Sequence, residues 1–401
     1  MGEHGIEQGV TAAQGFAAAA VQCGIKEGST KPDLTVVLSD RPANVAAVFT
    51  QNRAAAAPVI LSRERANNGR ATAVVANSGN ANACTGPQGL QDARDMSAAV
   101  AQRFGLSDDD VLVLSTGVIG VPLPMPKILH GIDRLEPSAD AGLDFAHAIM
   151  TTDTRQKVYA VEREIGGVNV RIGGAAKGSG MIHPNMATLL GVITTDAQVE
   201  PQFLHSSLKS AVDLTFNMIS IDGDTSTNDA VLVLANGAAG GTLIGEGTAG
   251  AELFSRALLD VCTTLAKEIV RDGEGAHCLI EIRVTGAHSG SDARQIARSI
   301  SASALVKTAV FGADPNWGRV LCAAGYSGGE LDPDRATLHL DDICLLRLGT
   351  GMPYDRSRAT ELLRQPLVTF SLDLGLGDGA AVAWGCDMSY DYVRINAEYT
   401  T

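Results

Sequence analysis

The chain has 401 residues and sets 45 acidic side chains against 31 basic ones, a formal net charge of −14. With no basic stripe to neutralise phosphates, nucleic acid is excluded as a main partner. Hydrophobic residues make up 45% and charged residues 19%, the balance of a globular protein with a sizeable core, and no run approaches the roughly 18 apolar residues of a membrane-spanning helix.

The first segment, MGEHGIEQGVTAAQGF, lacks the basic and apolar blocks of a signal peptide, and the apolar patch Phe16–Val21 is too short to span a bilayer. Period-two apolar patterns predict strands over 33–39, 71–77, 111–116 and 168–174, and most cleanly over HCLIEIRVTG. In that last strand Cys278, Ile280, Ile282 and Val284 form one face. Leu279, Glu281, Arg283 and Thr285 form another, largely polar, as in a sheet covered on one side. Helical spacing predicts an amphipathic helix over 88–104 closed by Gly105, a second over 201–218, and a third over Ala251–Arg271 ended by Asp272-Gly273. The glycine-rich stretch 236–250 reads as a surface connection. Interleaved strands and helices imply an α/β or α+β layer architecture.

Seven cysteines (Cys23, Cys84, Cys262, Cys278, Cys322, Cys344, Cys386) are dispersed without CxxC spacing. They read as reduced thiols of a cytoplasmic protein and offer no metal framework.

Five segments carry side chains suited to chemistry. In AAKGSGMIHPNMATLLGVITTDA the lysine precedes the glycines, which is the wrong order for a phosphate loop. A lone His183 reads as a solvated or structural residue. The pair Ala187-Thr188 permits two readings, an ordinary strand start or a self-cleavage site. Cleavage before Thr188 would free a hydroxyl nucleophile with its own α-amine as base, at a pKa of about 7.7–8.0. Spacing alone favours the strand start.

In LSTGVIGVPLP a predicted strand runs into Ser115, Thr116 and Gly117, which is either a plain strand-to-loop turn or a pair of N–H donors for an oxyanion. In SIDGDTSTNDA the residues Asp222, Asp224 and Ser226 resemble the start of a calcium loop, but Val233 stands where the closing glutamate belongs, so Asx turns are favoured. In RDGEGA, Glu274 follows a helix, poised for a substrate ammonium or for solvent. The stretch KTAVFGADPNWGRVLCAAG, with Lys307, Asp314, Asn316, Trp317 and Arg319, reads as a packed structural corner.

Taken in this order, FTQNRAAAAPV, NSGNANACTG, STGVIG, IMTTDT, GGAAKGSGMIHPNMATLL, IDGDTSTND, RDGEGA, LVKTAVFGADPNWGR and WGCDMSYDYVRINAEYTT resemble the ornithine acetyltransferase (glutamate N-acetyltransferase) family from about Asp33 to Thr401. The residues up to about Thr30 carry no matching motif. The resemblance implies a layered sandwich with sheets between helices, an aminopeptidase-like self-processing fold. It implies cleavage between Ala187 and Thr188 into chains 1–187 and 188–401, assembled as an α2β2 heterotetramer.

It further implies transfer of acetyl from N-acetylornithine to glutamate through an acetyl-Thr188 ester, releasing ornithine and N-acetylglutamate in arginine biosynthesis. Thr116 and Gly117 would stabilise the oxyanion, and Thr151, Lys177, Thr188, Glu274, Asn396 and Thr401 would bind substrate. No cofactor or metal is implied, and acetyl-CoA enters only as a second donor in bifunctional members. A hydrolase that uses the same threonine with water as acceptor, and a non-enzymatic small-molecule binder, remain the competing classes.

Overall fold

The computed structural model describes residues 8–183 and 189–398. Its strands begin with β1 (Phe16–Val21), β2 (Leu34–Phe49), β3 (Arg70–Asn80), β4 (Val111–Val118), β5 (Lys157–Ile165), β6 (Val168–Lys177) and β7 (Leu190–Val199). They continue with β8 (Ile219–Ser220), β9 (Ala230–Ile244), β10 (Leu279–Ala287), β11 (Thr337–Leu340), β12 (Ile343–Arg347), β13 (Thr350–Gly351), β14 (Leu367–Asp373) and β15 (Gly379–Cys386). The first five helices are α1 (Ala57–Ala66), α2 (Gly86–Phe104), α3 (Met125–Asp133), α4 (Gly142–Ala148) and α5 (Pro201–Leu214). The rest are α6 (Ala251–Arg271), α7 (Gly290–Ala302), α8 (Ala304–Phe311), α9 (Trp317–Gly325), α10 (Arg356–Leu363) and α11 (Tyr390–Glu398).

Two sheets result. The first runs β4-β3-β2-β9-β7-β6-β5 with β1 paired to β2, and the second runs β13-β12-β11-β14-β10-β15-β8. Central strands are apolar on both faces, which is why their sequences read as continuous apolar runs. In β9, Val231 and Val233 join the core built with α5 and α6, while Leu232 and Leu234 join the core behind it with Phe16 and Phe145. Helix α6 packs on β5 and β6 of the first sheet and on β15 of the second. Helix α7 covers the opposite face of the second sheet, where a Cβ on Gly385 of β15 would meet Ser301 O at 2.8 Å. With α4 on the outer face of the first sheet, the order is helix, sheet, helices, sheet, helix, so the expected layered α/β architecture is found. No helix of the described residues is long and apolar enough to cross a membrane.

Every expected strand is present, and α2 and α6 fall where their periodicity places them. Three expectations need correction. The helix from Pro201 ends at Leu214, because Thr215 turns to φ −128° and ψ −84° and leaves Phe216–Met218 as a 3-10 turn. The glycine-rich stretch is mostly strand: β9 runs to Ile244, and its small residues accommodate register shifts against β7 at Ala197↔Gly240 and Val199↔Ile244. Only 245–250 is a connection. The polar face of β10 is solvated only at its far end: Arg283 and Thr285 are exposed, but Glu281 is 6% exposed. It accepts from Trp384 Nε1 at 2.8 Å and Lys267 Nζ at 3.2 Å, and Lys267 is the α6 residue that closes over that face.

Candidate active site

The motifs NSGNANACTG and STGVIG are two halves of one structure. Strands β3 and β4 run parallel and meet at Gly79↔Gly117, with a shift in register at Asn80. Gly117 has φ +133°, and a Cβ there would stand 2.3 Å from the Gly79 carbonyl carbon. Only glycine fits this turn. The asparagines serve its backbone: Asn77 Nδ2 donates to Asn80 O at 2.8 Å, and Asn80 Nδ2 donates to Val121 O at 3.0 Å. Asn228, ahead of β9, donates to Ala81 O at 2.6 Å and to Ser115 O at 2.8 Å. These bonds satisfy buried carbonyls that the bent backbone cannot pair with itself. They also bring the end of β4 against the start of β9.

Lys177 ends β6 and sits in register with Leu190, itself in register with Ala230. Its Nζ lies 3.3 Å from Thr116 Oγ1 and 4.0 Å from Asp153 Oδ2. Beneath it Lys157 Nζ is held 2.6 Å from both Asp153 Oδ1 and Asp272 Oδ2, with all three side chains buried. Asp153 also accepts the backbone N–H of Thr151 at 2.9 Å and of Gly178 at 2.8 Å, and Asp272 accepts from Thr154 N and Oγ1. Burial alone would push Asp153 up, but the ammonium groups of Lys177 and Lys157 hold it well below the usual carboxylate range. Burial pushes Lys177 down, and Asp153 and Glu274 only partly offset it.

Glu274 follows α6 at the Asp272-Gly273 turn. Its N–H donates to Ser179 O at 2.9 Å, and Ser179 Oγ donates to Asp272 O at 2.7 Å. Its carboxylate lies against Gly180, where a Cβ would come within 2.6 Å. From the C-terminal helix α11, Asn396 Nδ2 donates to Glu274 Oε2 at 2.8 Å. Glu274 is therefore not a solvent-facing turn residue.

Thr116, Gly117, Thr151, Lys177, Glu274 and Asn396 line one cavity of about 170 Å³. Ala187, Thr188 and Thr401 lie outside the described residues, but Leu189 and Leu190 line the same cavity. It presents a buried cation, a carboxylate, hydroxyls and a bent backbone turn, a set suited to an α-amino acid carrying both charges. Sequence reasoning missed the Asp153–Lys157–Asp272 triad and Asn228. Asp153 stands inside IMTTDT and Asn228 inside IDGDTSTND, yet the partners that complete their roles, Asp272 and Gly178 around the first and Ala81 and Ser115 for the second, are far along the chain.

The remaining segments are structural. His183 Nδ1 pairs with Ser220 Oγ at 3.1 Å, and burial followed by Arg298 and Lys307 pushes its pKa down to about 4. Asp222 forms the expected Asx turn with Asp224 N at 3.2 Å and also accepts from Met181 N and Ile182 N. Lys307 is 1% exposed and donates to Ser220 O and Cys386 O at 2.9 Å, as a packed corner requires. Among the described residues, no group of three His, Cys, Asp or Glu is placed to hold a metal.

The chain matches the family model described as "ArgJ family" over residues 17–401, which reaches further toward the N-terminus than the motifs do. It is similar to "Arginine biosynthesis bifunctional protein ArgJ" of Symbiobacterium thermophilum, 53% identical over 396 residues and 98% of each chain. It is also similar to the protein of that name from Geobacter sulfurreducens, 50% identical over 395 residues, 97% of this chain and 99% of that one. Among solved structures, the Bacillus halodurans "Arginine biosynthesis bifunctional protein argJ" matches with 43% identity and a TM-score of 0.51, over 52% of this chain and 98% of that chain. With the family's model spanning nearly its whole length and relatives at half identity, this chain belongs to the ArgJ family.

Proposed function

We propose that the protein is a glutamate N-acetyltransferase of arginine biosynthesis that moves acetyl from N-acetylornithine to glutamate. The observation that carries the reading is the convergence of Thr116, Gly117, Thr151, Lys177, Glu274 and Asn396 on one cavity. Thr188, freed by cleavage after Ala187, attacks the acetyl carbonyl while its α-amine takes the hydroxyl proton and returns it to the departing amine of ornithine. The ester is then attacked by the α-amine of glutamate, which leaves as N-acetylglutamate and restores the threonine.

Both steps pass through a tetrahedral oxyanion, for which the Thr116–Gly117 turn is the donor. Lys177 takes the substrate carboxylate and Glu274 its ammonium, with Thr151 and Asn396 fixing orientation and the Thr401 end completing the site. The covalent neighbour of Thr188, Leu189, lines the cavity. The Bacillus halodurans chain, matched over 98% of itself, spans only 52% of this one. Both features support chains 1–187 and 188–401 in the mature protein; their assembly as an α2β2 heterotetramer in the cytoplasm is carried by the family resemblance alone.

A second donor is favoured by one specific observation: the relatives carry the name "bifunctional". On that reading acetyl-CoA also acylates Thr188, as a substrate rather than a bound cofactor. The test is an assay of N-acetylglutamate formation with N-acetylornithine and with acetyl-CoA, alongside denaturing electrophoresis. Two fragments and transfer to glutamate are expected. Free acetate released without glutamate would make the enzyme a hydrolase, and an intact chain in active protein would remove the cleavage step.

A further inference from the structure

The residues before Asp33 carry none of the family motifs, yet one of them contacts the backbone that supports the cavity wall. Four successive backbone N–H groups, of Cys23, Gly24, Ile25 and Lys26, donate to the Asp33 carboxylate at 2.6–3.1 Å. Asp33 is fully buried, and its carbonyl accepts from Ser78 N at 2.9 Å. The Cys23–Lys26 turn is thus clamped to the end of β3, beside Gly79. The Lys26 side chain then crosses Gly79 so closely that a Cβ there would meet Lys26 Cγ at 2.6 Å. Gly79 is the residue on which the Gly117 turn rests. At its far end Lys26 Nζ donates to Met150 O at 2.7 Å, immediately before Thr151.

We propose that Lys26 is a positioning residue of the transferase site, a strut that sets the distance between the Gly117 turn and the Thr151 loop. The inference rests on the transferase reading above. One side chain touches the backbone under the oxyanion turn and holds the carbonyl that precedes a substrate-binding threonine. A misplacement of about 1 Å between such groups costs on the order of 10²-fold in rate. Because oxyanion contacts are made only in the transition state, the loss falls on kcat more than on KM. Burial, opposed by Asp33 and then joined by repulsion from Lys177, lowers Lys26 to about 8. It remains a charge-assisted donor to Met150 at pH 7.

The test compares wild type, Lys26→Met and Lys26→Arg in acetyl transfer from N-acetylornithine to glutamate at pH 7, with rates taken per processed chain. Lys26→Met keeps the methylenes over Gly79 and loses the donor. It is expected to lose kcat on the order of 10–100-fold with KM for either substrate changing far less. Lys26→Arg, which keeps cation and donor, is expected to recover most of that loss. Should Lys26→Met not fold, Lys26→Gln is read against Lys26→Arg in the same way. Wild-type kcat in Lys26→Met, or equal loss in the Met and Arg variants, would overturn the strut. A wild type that transfers no acetyl would overturn the transferase reading instead.

Discussion

Lys177 Nζ lies 3.3 Å from Thr116 Oγ1, so the last residue of β6 touches the end of β4 in the wall of the cavity. Under the proposed mechanism, the contact puts the cation assigned to the substrate carboxylate beside the turn assigned to the oxyanion. On that mechanism, an amino acid held by its carboxylate on Lys177 would present its acylated amine to the Thr116–Gly117 backbone.

Gly117→Ala would place a Cβ 2.3 Å from the Gly79 backbone at a φ of +133°. The turn must move, and the oxyanion donors with it. The expected outcome is a fall in kcat on the order of 10²–10³-fold, with ornithine affinity, read by calorimetry, nearly unchanged.

Gly180→Ala brings a methyl within 2.6 Å of the Glu274 carboxylate and displaces it. It should reproduce Glu274→Gln, since both weaken a charge-assisted bond to the substrate ammonium worth about 1.5–3 kcal/mol. Steady-state kinetics should show KM for N-acetylornithine rising about ten- to a hundredfold in each.

Lys157→Met leaves Asp153 and Asp272 as buried carboxylates without their shared ammonium. Such a loss typically costs about 3–5 kcal/mol, and urea unfolding should show a midpoint shifted accordingly. The lysine is a support of the Thr151 loop as well as of stability, because Asp153 also accepts from Thr151 N.

His183 has a folded pKa of about 4 against an ordinary 6.5. The unfolded chain therefore binds more protons between these values, and stability falls as pH drops through that window. His183→Asn should flatten the acid side of the Tm–pH curve between about 4 and 6.5 and leave the neutral side unchanged.

What was legible in the sequence was what glycines and charges announce locally. Gly117, Lys177 and Glu274 each stand in a short motif, and all three reach one cavity. The buried triad was not legible, because Lys157 meets Asp272 only after β5 packs on α6. Nor was the burial of Glu281, since a period-two pattern says which face is polar and not whether a helix will cover it. β9 was misread for the opposite reason: glycines that mark a turn in isolation here fit the register shifts of a long strand. Lys26 stayed hidden because its role depends on contacts with Gly79 and Met150, far along the chain.

On the proposed mechanism Thr188 carries the acetyl group. The direct measurement is mass spectrometry of the purified protein after N-acetylornithine is added without glutamate, followed by glutamate. The expected result is a fragment beginning at Thr188 that gains the mass of one acetyl group, with the label on Thr188, and loses it when glutamate is added. A fragment that stays unmodified while N-acetylglutamate accumulates, or an acetyl group that glutamate does not remove, would contradict it.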